Sequence, residues 1–149
     1  MRLPPNIPVM VLPGEVAVCR LSPDANVAEI IGAHPIYSVT RTADELSLVC
    51  AATAVPDGAA VERGWRVLKV TQMLDFAQVG LLASLLDPLM KERVSVFVIS
   101  TYNTDYVLVK EEDLKVAITA LRVADHRVII LGEEPAAIDP PLKRRSRPS

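Results

Sequence analysis

Residues 98–114 read VISTYNTDYVLVKEEDL, two apolar runs with strand-like alternation around a polar tip, the second passing straight into an acidic helix start. Alternation on both sides of a short turn predicts a β-hairpin, and acids at the head of the next segment suit the positive end of a helix. The tip carries Ser100, Thr101, Asn103, Thr104 and Asp105, more hydrogen-bonding side chains than a turn requires. Such residues also bond their own backbone in turns, so a ligand site and a self-sufficient turn both remain open at this point.

Working outward, residues 65–72 (WRVLKVTQ) alternate as a strand. Asp75 is placed to N-cap a helix with Phe76, Val79, Ala83, Leu86 and Met90 at three- and four-residue spacing, which Pro88 should kink or end early. Downstream of the hairpin, EEDLKVAITALRVAD predicts a second helix with Leu114, Ala117, Ile118 and Leu121 on its apolar face, and HRVIIL closes as a strand. From Trp65 onward the order is strand, helix, strand, strand, helix, strand. That is the ferredoxin-like α+β plan, an antiparallel sheet with two helices on one face.

The first half repeats the plan in abbreviated form. A strand at 15–21 (EVAVCRL) precedes a turn and a short helix over 25–32 (ANVAEIIG), then a hairpin over 36–50. Setting YSVTRTADELSLV beneath FVISTYNTDYVLV aligns Thr40 with Ser100 and Glu45 with Asp105. Where the second helix of the front copy should stand, residues 51–64 (AATAVPDGAAVERG) read as a loop or one helical turn. The expected organisation is two ferredoxin-like units side by side: an abbreviated unit at 1–63, a complete one at 64–134 and a disordered basic tail at 135–149.

Composition narrows the function. Half the 149 residues are apolar, which supports a packed core, and 4% aromatic content leaves little for stacking bases. The net charge of −2 includes Lys143, Arg144, Arg145 and Arg147 in the tail, so the body is acidic and unlike a nucleic-acid surface. No apolar run is long enough to span a bilayer and the N-terminus lacks a signal-peptide core, which implies a cytoplasmic protein away from membranes. Cys19 and Cys50 sit in strand-like runs without metal spacing and read as buried thiols. His34 and His126 have no Ser or Cys beside them in sequence, and no phosphate-binding glycine motif occurs, so no catalysis and no cofactor or metal is expected.

Gly80-Leu-Leu-Ala-Ser-Leu-Leu86, the segment from Val98 to Val109 and the segment from Tyr37 to Cys50 together resemble small bacterial tandem ACT-domain proteins. These are similar in turn to the ACT modules of aspartokinases and of CASTOR-type arginine sensors. The resemblance implies a regulatory module that binds a free amino acid between a helix N-terminal loop and a hairpin, acting as a homodimer or on a protein target. Carried over by motif, the ligand-binding positions are Gly80, Leu81, Ser100, Thr101, Tyr102 and Asp105, with the far wall supplied by a neighbouring unit or a second chain. Backbone amides near the helix start would hold the carboxylate and Asp105 the ammonium. Glu45, Glu111 and Glu112 are the candidate acids for a basic side chain. The alternative is a ligand-free docking or dimerisation module.

Overall fold

The computed structural model describes residues 3–28, 35–72 and 79–132. Strands β1 (Pro8–Val11), β2 (Val16–Leu21), β3 (Ser38–Arg41), β4 (Leu46–Ala51) and β5 (Ala60–Val70) come first. They are followed by α1 (Leu81–Lys91), β6 (Val96–Ser100), β7 (Asp105–Lys110), α2 (Leu114–Val123) and β8 (Arg127–Ile130). The order from β5 onward is the expected βαββαβ, and the fold is α+β.

The eight strands form one sheet organised by β5. Trp65 pairs with Val16 of β2 on one edge and Lys110 of β7 on the other, while Leu68–Val70 pair with Val11–Val9 of β1. Strands β1 and β2 therefore follow one another along the same edge of β5, both antiparallel to it. Beyond β2 lie β4 and β3, beyond β1 lies β8, and β6 borders β7. The junction expected at 63/64 falls inside β5, and β1 stands between β5 and β8 of the C-terminal unit. The two units share strands as well as touching. Sequence reading ended the loop at Gly64; β5 instead begins at Ala60, because the edge offered by β2 pairs with residues 60–62.

Alternation assigns each side chain of the C-terminal sheet to one of two faces. Val9, Val11, Leu68, Val70, Val107 and Val109 face the helices and pack on Leu81, Leu85, Leu89, Ala117 and Leu121. On the opposite face, Val67 and Leu108 pack with Leu12, Val16, Trp65 and the front unit's Ile36 and Val49. The face of α2 is as expected, with Ala117, Ile118 and Leu121 buried and Leu114 packed against them. That of α1 is not: Leu81, Ser84, Leu85 and Leu89 are buried, whereas Val79, Ala83 and Met90 are exposed and Leu86 half-buried. The reason is the starting point. The described helix begins at Leu81 behind Gly80, so a phase counted from Asp75 is displaced; Asp75 and Phe76 lie outside the described residues. Pro88 does not end α1, which continues to Lys91.

The front half holds its hairpin, β3–β4, and a single 3-10 turn at Ala52–Ala54 where a second helix would stand. Residues 25–28 of the expected short helix are not helical, Ala28 N–H donating instead to Asn26 Oδ1, and residues 29–32 lie outside the described set. The repeat is real but offset by one residue from the alignment by letters. Arg41 pairs with Leu46 as Ser100 pairs with Asp105, and Thr42 N–H donates to Glu45 O as Thr101 N–H donates to Thr104 O. The structural counterpart of Asp105 is thus Leu46, fully buried, and Glu45 corresponds to Thr104.

Cys19 and Cys50 are buried free thiols in a third cluster with Ala17, Leu46 and Leu48. Burial, then the neighbouring Cys50, pushes the Cys19 thiol up to about 11, and burial also raises Cys50. Because the folded pKa is raised, the contribution of Cys19 to stability is complete below the unfolded value near 9 and is lost as pH rises through about 11. Reaction with a disulfide reagent at pH 8 should therefore be at least about a hundredfold slower in native protein than in urea, since the thiolate is the nucleophile. Equal rates in both conditions, read at 412 nm, would place the thiols at the surface.

Candidate functional site

The polar residues of the β6–β7 hairpin divide between the two faces of the sheet. Ser100 and Asp105 form a cross-strand pair on the helix face, where Ser100 Oγ donates to Asp105 Oδ1 at 2.5 Å. Asp105 is buried, an unusual position for a carboxylate at a strand end. One residue on, Tyr106 points to the opposite face, beneath Lys69 with its Nζ 5.9 Å from the ring centroid. Tyr102 lies at the tip and is 81% exposed.

Part of the turn chemistry is structural. Thr101 Oγ1 donates to Thr104 O and accepts from Thr104 N–H, which is the self-sufficient turn that the sequence also allowed. Thr104 does more. Its buried hydroxyl donates to Val70 O at 2.7 Å, stapling the tip to the end of β5. Ser100 and Asp105 are not consumed by the turn itself.

Gly80 and Leu81 stand at the start of α1. Gly80 adopts φ +85°, a left-handed conformation that favours glycine, and a Cβ there would meet Leu3 at 3.4 Å and Pro4 at 3.7 Å. Close approach at Gly80 is thus made by the chain's own N-terminal segment. Leu81 belongs to the core and lines a cavity of about 180 Å³ with Pro4, Pro5, Ile7, Gln72 and Val79. A second cavity of about 200 Å³ is lined by Lys69, Val70, Thr71, Gln72, Thr101, Asn103, Thr104 and Tyr106. Gln72 borders both. Of the acids considered for a basic ligand, Glu111 and Glu112 follow the far end of β7, where Glu111 pairs with Arg66 at 3.0 Å, and Glu45 belongs to the other hairpin. The six-residue length of β7 puts roughly 20 Å between Asp105 and Glu111.

Sequence reading also missed a buried polar network. Pro88 has no N–H for the carbonyl of Ser84, four residues earlier. His126 Nε2 lies 3.0 Å from that oxygen, and its Nδ1 accepts from Ile7 N–H at 3.2 Å. The tautomer that fits both contacts carries a proton on Nε2, facing Ser84 O. Ser84 Oγ stands 3.2 Å from Nε2 and donates to Pro4 O. This brings a serine beside a histidine, which the linear sequence does not. Both are buried, however, the hydroxyl is committed to a carbonyl, and Nε2 is a donor, so the pair lacks the free base that nucleophilic catalysis requires. Its effect is to tie the N-terminal segment, α1 and the start of β8 together. The legible signal was Pro88 itself, which marks an orphaned carbonyl on an otherwise buried helix face. Among the described residues no cluster of three or more potential metal ligands occurs, and no helix is long and apolar enough to cross a membrane.

Comparison with known proteins agrees with this architecture. Residues 60–123 match the ACT domain family, and residues 14–58 match a separate N-terminal domain family. A mouse protein named cytosolic arginine sensor for mTORC1 subunit 1 is 33% identical over 81 residues, covering 52% of this chain and 24% of the mouse protein. The chain thus spans about a quarter of the length of that relative. Among solved structures, an Agobacterium tumefaciens protein superposes with a TM-score of 0.80 at 29% identity, covering 90% of this chain and all of that one. The ligand-free regulatory subunit of Thermus thermophilus aspartate kinase superposes at 0.54 with 10% identity over 76% of this chain and 93% of the subunit, a likeness of fold alone.

Proposed function

We propose that the chain, whose residues 60–123 match the ACT domain family, is a regulatory module that binds a free amino acid and catalyses no reaction of its own. The observation that carries this reading is the buried Asp105 carboxylate on the helix face, at the end of β7, with Ser100 beside it. A carboxylate there accepts an α-ammonium by a charge-assisted bond, with the Ser100 hydroxyl beside it. Gly80 and Leu81 then contribute backbone amides from the opposite wall, and Tyr102 at the tip meets the ligand or the unit next to it. The relatives named as arginine sensors make arginine the first ligand to try.

Such a module acts in the cytoplasm through a homodimer or a separate protein target. A second reading, docking without a ligand, is favoured by one observation: a groove of about 600 Å³ between α1 and α2, lined by Pro88, Val116, Ala120 and Val123. Val123 in it is 80% exposed. A thermal-shift screen of protein freed of bound ligand against the twenty amino acids separates the two. A ligand at 100 times its dissociation constant adds about 2.7 kcal/mol. That amounts to roughly 5–10 °C for a chain of this size. One amino acid giving that shift supports a sensor; no shift with any of them, in folded ligand-free protein, leaves the docking reading.

A further inference from the structure

We propose a second small-molecule site on the sheet face opposite the helices: the cavity between Lys69, Gln72, Asn103 and Tyr106, which takes a small monocarboxylate. It is separate from the amino-acid site because β-strand alternation puts Asp105 on one face and Tyr106 on the other.

Three observations point to an anion. Lys69 is half-buried in a cavity of about 200 Å³, and no carboxylate lies within ion-pair distance of it among the described residues. Its described neighbour is the Tyr106 ring, which steers the ammonium without neutralising it. The remaining polar lining includes the side-chain amides of Gln72 and Asn103, which can donate to an anion beside Lys69, and no acid lines the cavity among the described residues. A single positive charge with planar amide donors fits a monocarboxylate better than a dianionic phosphate, which asks for more charge.

The walls are held before any ligand arrives. Thr104 fastens the tip to Val70 O and Thr71 N–H donates to Pro8 O, so both sides are anchored in the backbone. Preformed geometry of this kind lowers the ordering cost of binding. The carbon end of the acid has apolar surface to meet. Cross-strand pairing extends the Lys69–Tyr106 row to Met10 on one side and Ile99 on the other, all four facing away from the helices. The β3–β4 hairpin, of the same turn geometry, has Asp44, Glu45 and Ser47 where Asn103, Thr104 and Tyr106 stand. Its acidic tip would repel an anion, so the site belongs to the second hairpin alone.

The test is an amide chemical-shift titration of the nitrogen-15-labelled full chain with sodium butyrate, with butyramide and sodium chloride at matched concentration as controls. Saturable shifts at Thr71, Gln72, Asn103 and Tyr106 with butyrate alone are expected. They should weaken at least tenfold in Lys69→Met, which keeps the apolar stem, and persist in Asp105→Leu. Equal shifts with butyramide or chloride overturn the proposal, as do shifts that survive Lys69→Met or vanish in Asp105→Leu. Because the amino-acid response depends on Asp105 and this one on Lys69, either can fail without the other.

Discussion

Asp105→Leu should erase the thermal response to the bound amino acid while leaving the ligand-free protein at least as stable as the wild type. The internal repeat makes this prediction sharp. In the β3–β4 hairpin the position of Asp105 is filled by Leu46, which is fully buried at the same place beside the same turn. The backbone therefore accepts leucine here. Burying a carboxylate with a hydroxyl partner is costly, and an apolar residue of similar size removes that cost. Sites kept for binding are commonly less stable than their apolar replacements. The expected readout is an unchanged or raised midpoint without ligand, and a shift of roughly 5–10 °C falling to zero with it. A variant that keeps the full shift would remove Asp105 from the site. A variant that unfolds would show instead that the carboxylate is part of the framework.

His126→Leu should cost about 2–5 kcal/mol, a fall in midpoint on the order of 10 °C. The side chain satisfies two backbone groups at once, Ile7 N–H through Nδ1 and Ser84 O through Nε2. Leucine satisfies neither, and each buried group left unpaired costs about 1–3 kcal/mol. His126→Asn places an oxygen near the position of Nδ1 and should recover part of the loss. The decisive comparison is a double-mutant cycle with Pro88→Ala. Alanine at 88 restores the N–H that Ser84 O lacks, so His126→Leu should cost less in that background. Urea unfolding followed by circular dichroism measures all four proteins. Loss below about 0.5 kcal/mol in the single variant, or strict additivity in the cycle, would mean that water already satisfies these groups.

The hairpin at the centre of the sequence reading was legible because its signal is local. Alternation in VFVIS and DYVLVK set the strands, and the acids of EED marked the start of α2. The start of α1 was not legible in the same way. Its first described residue follows a left-handed glycine, and a periodic pattern does not announce where the phase is reset. The repeat was visible as similarity of letters, but letters cannot resolve a one-residue offset. Only cross-strand pairing does, and one residue changes the face on which every side chain stands.

By itself, then, the sequence determined the order of elements from Trp65 to Leu131, the hairpin, the face of α2 and the apolar setting of both cysteines. These are consequences of patterns spanning a few residues. The tertiary structure decided that β1 inserts between β5 and β8, that Leu46 stands for Asp105, and that Lys69 and Tyr106 share a cavity on the far side from Asp105. It also decided that His126 completes the backbone at Ser84, 42 residues away. Each of these depends on which strand edges meet and in what register. Such contacts are set by hydrogen-bond pairing between segments distant in the chain, and no window along the sequence contains both partners.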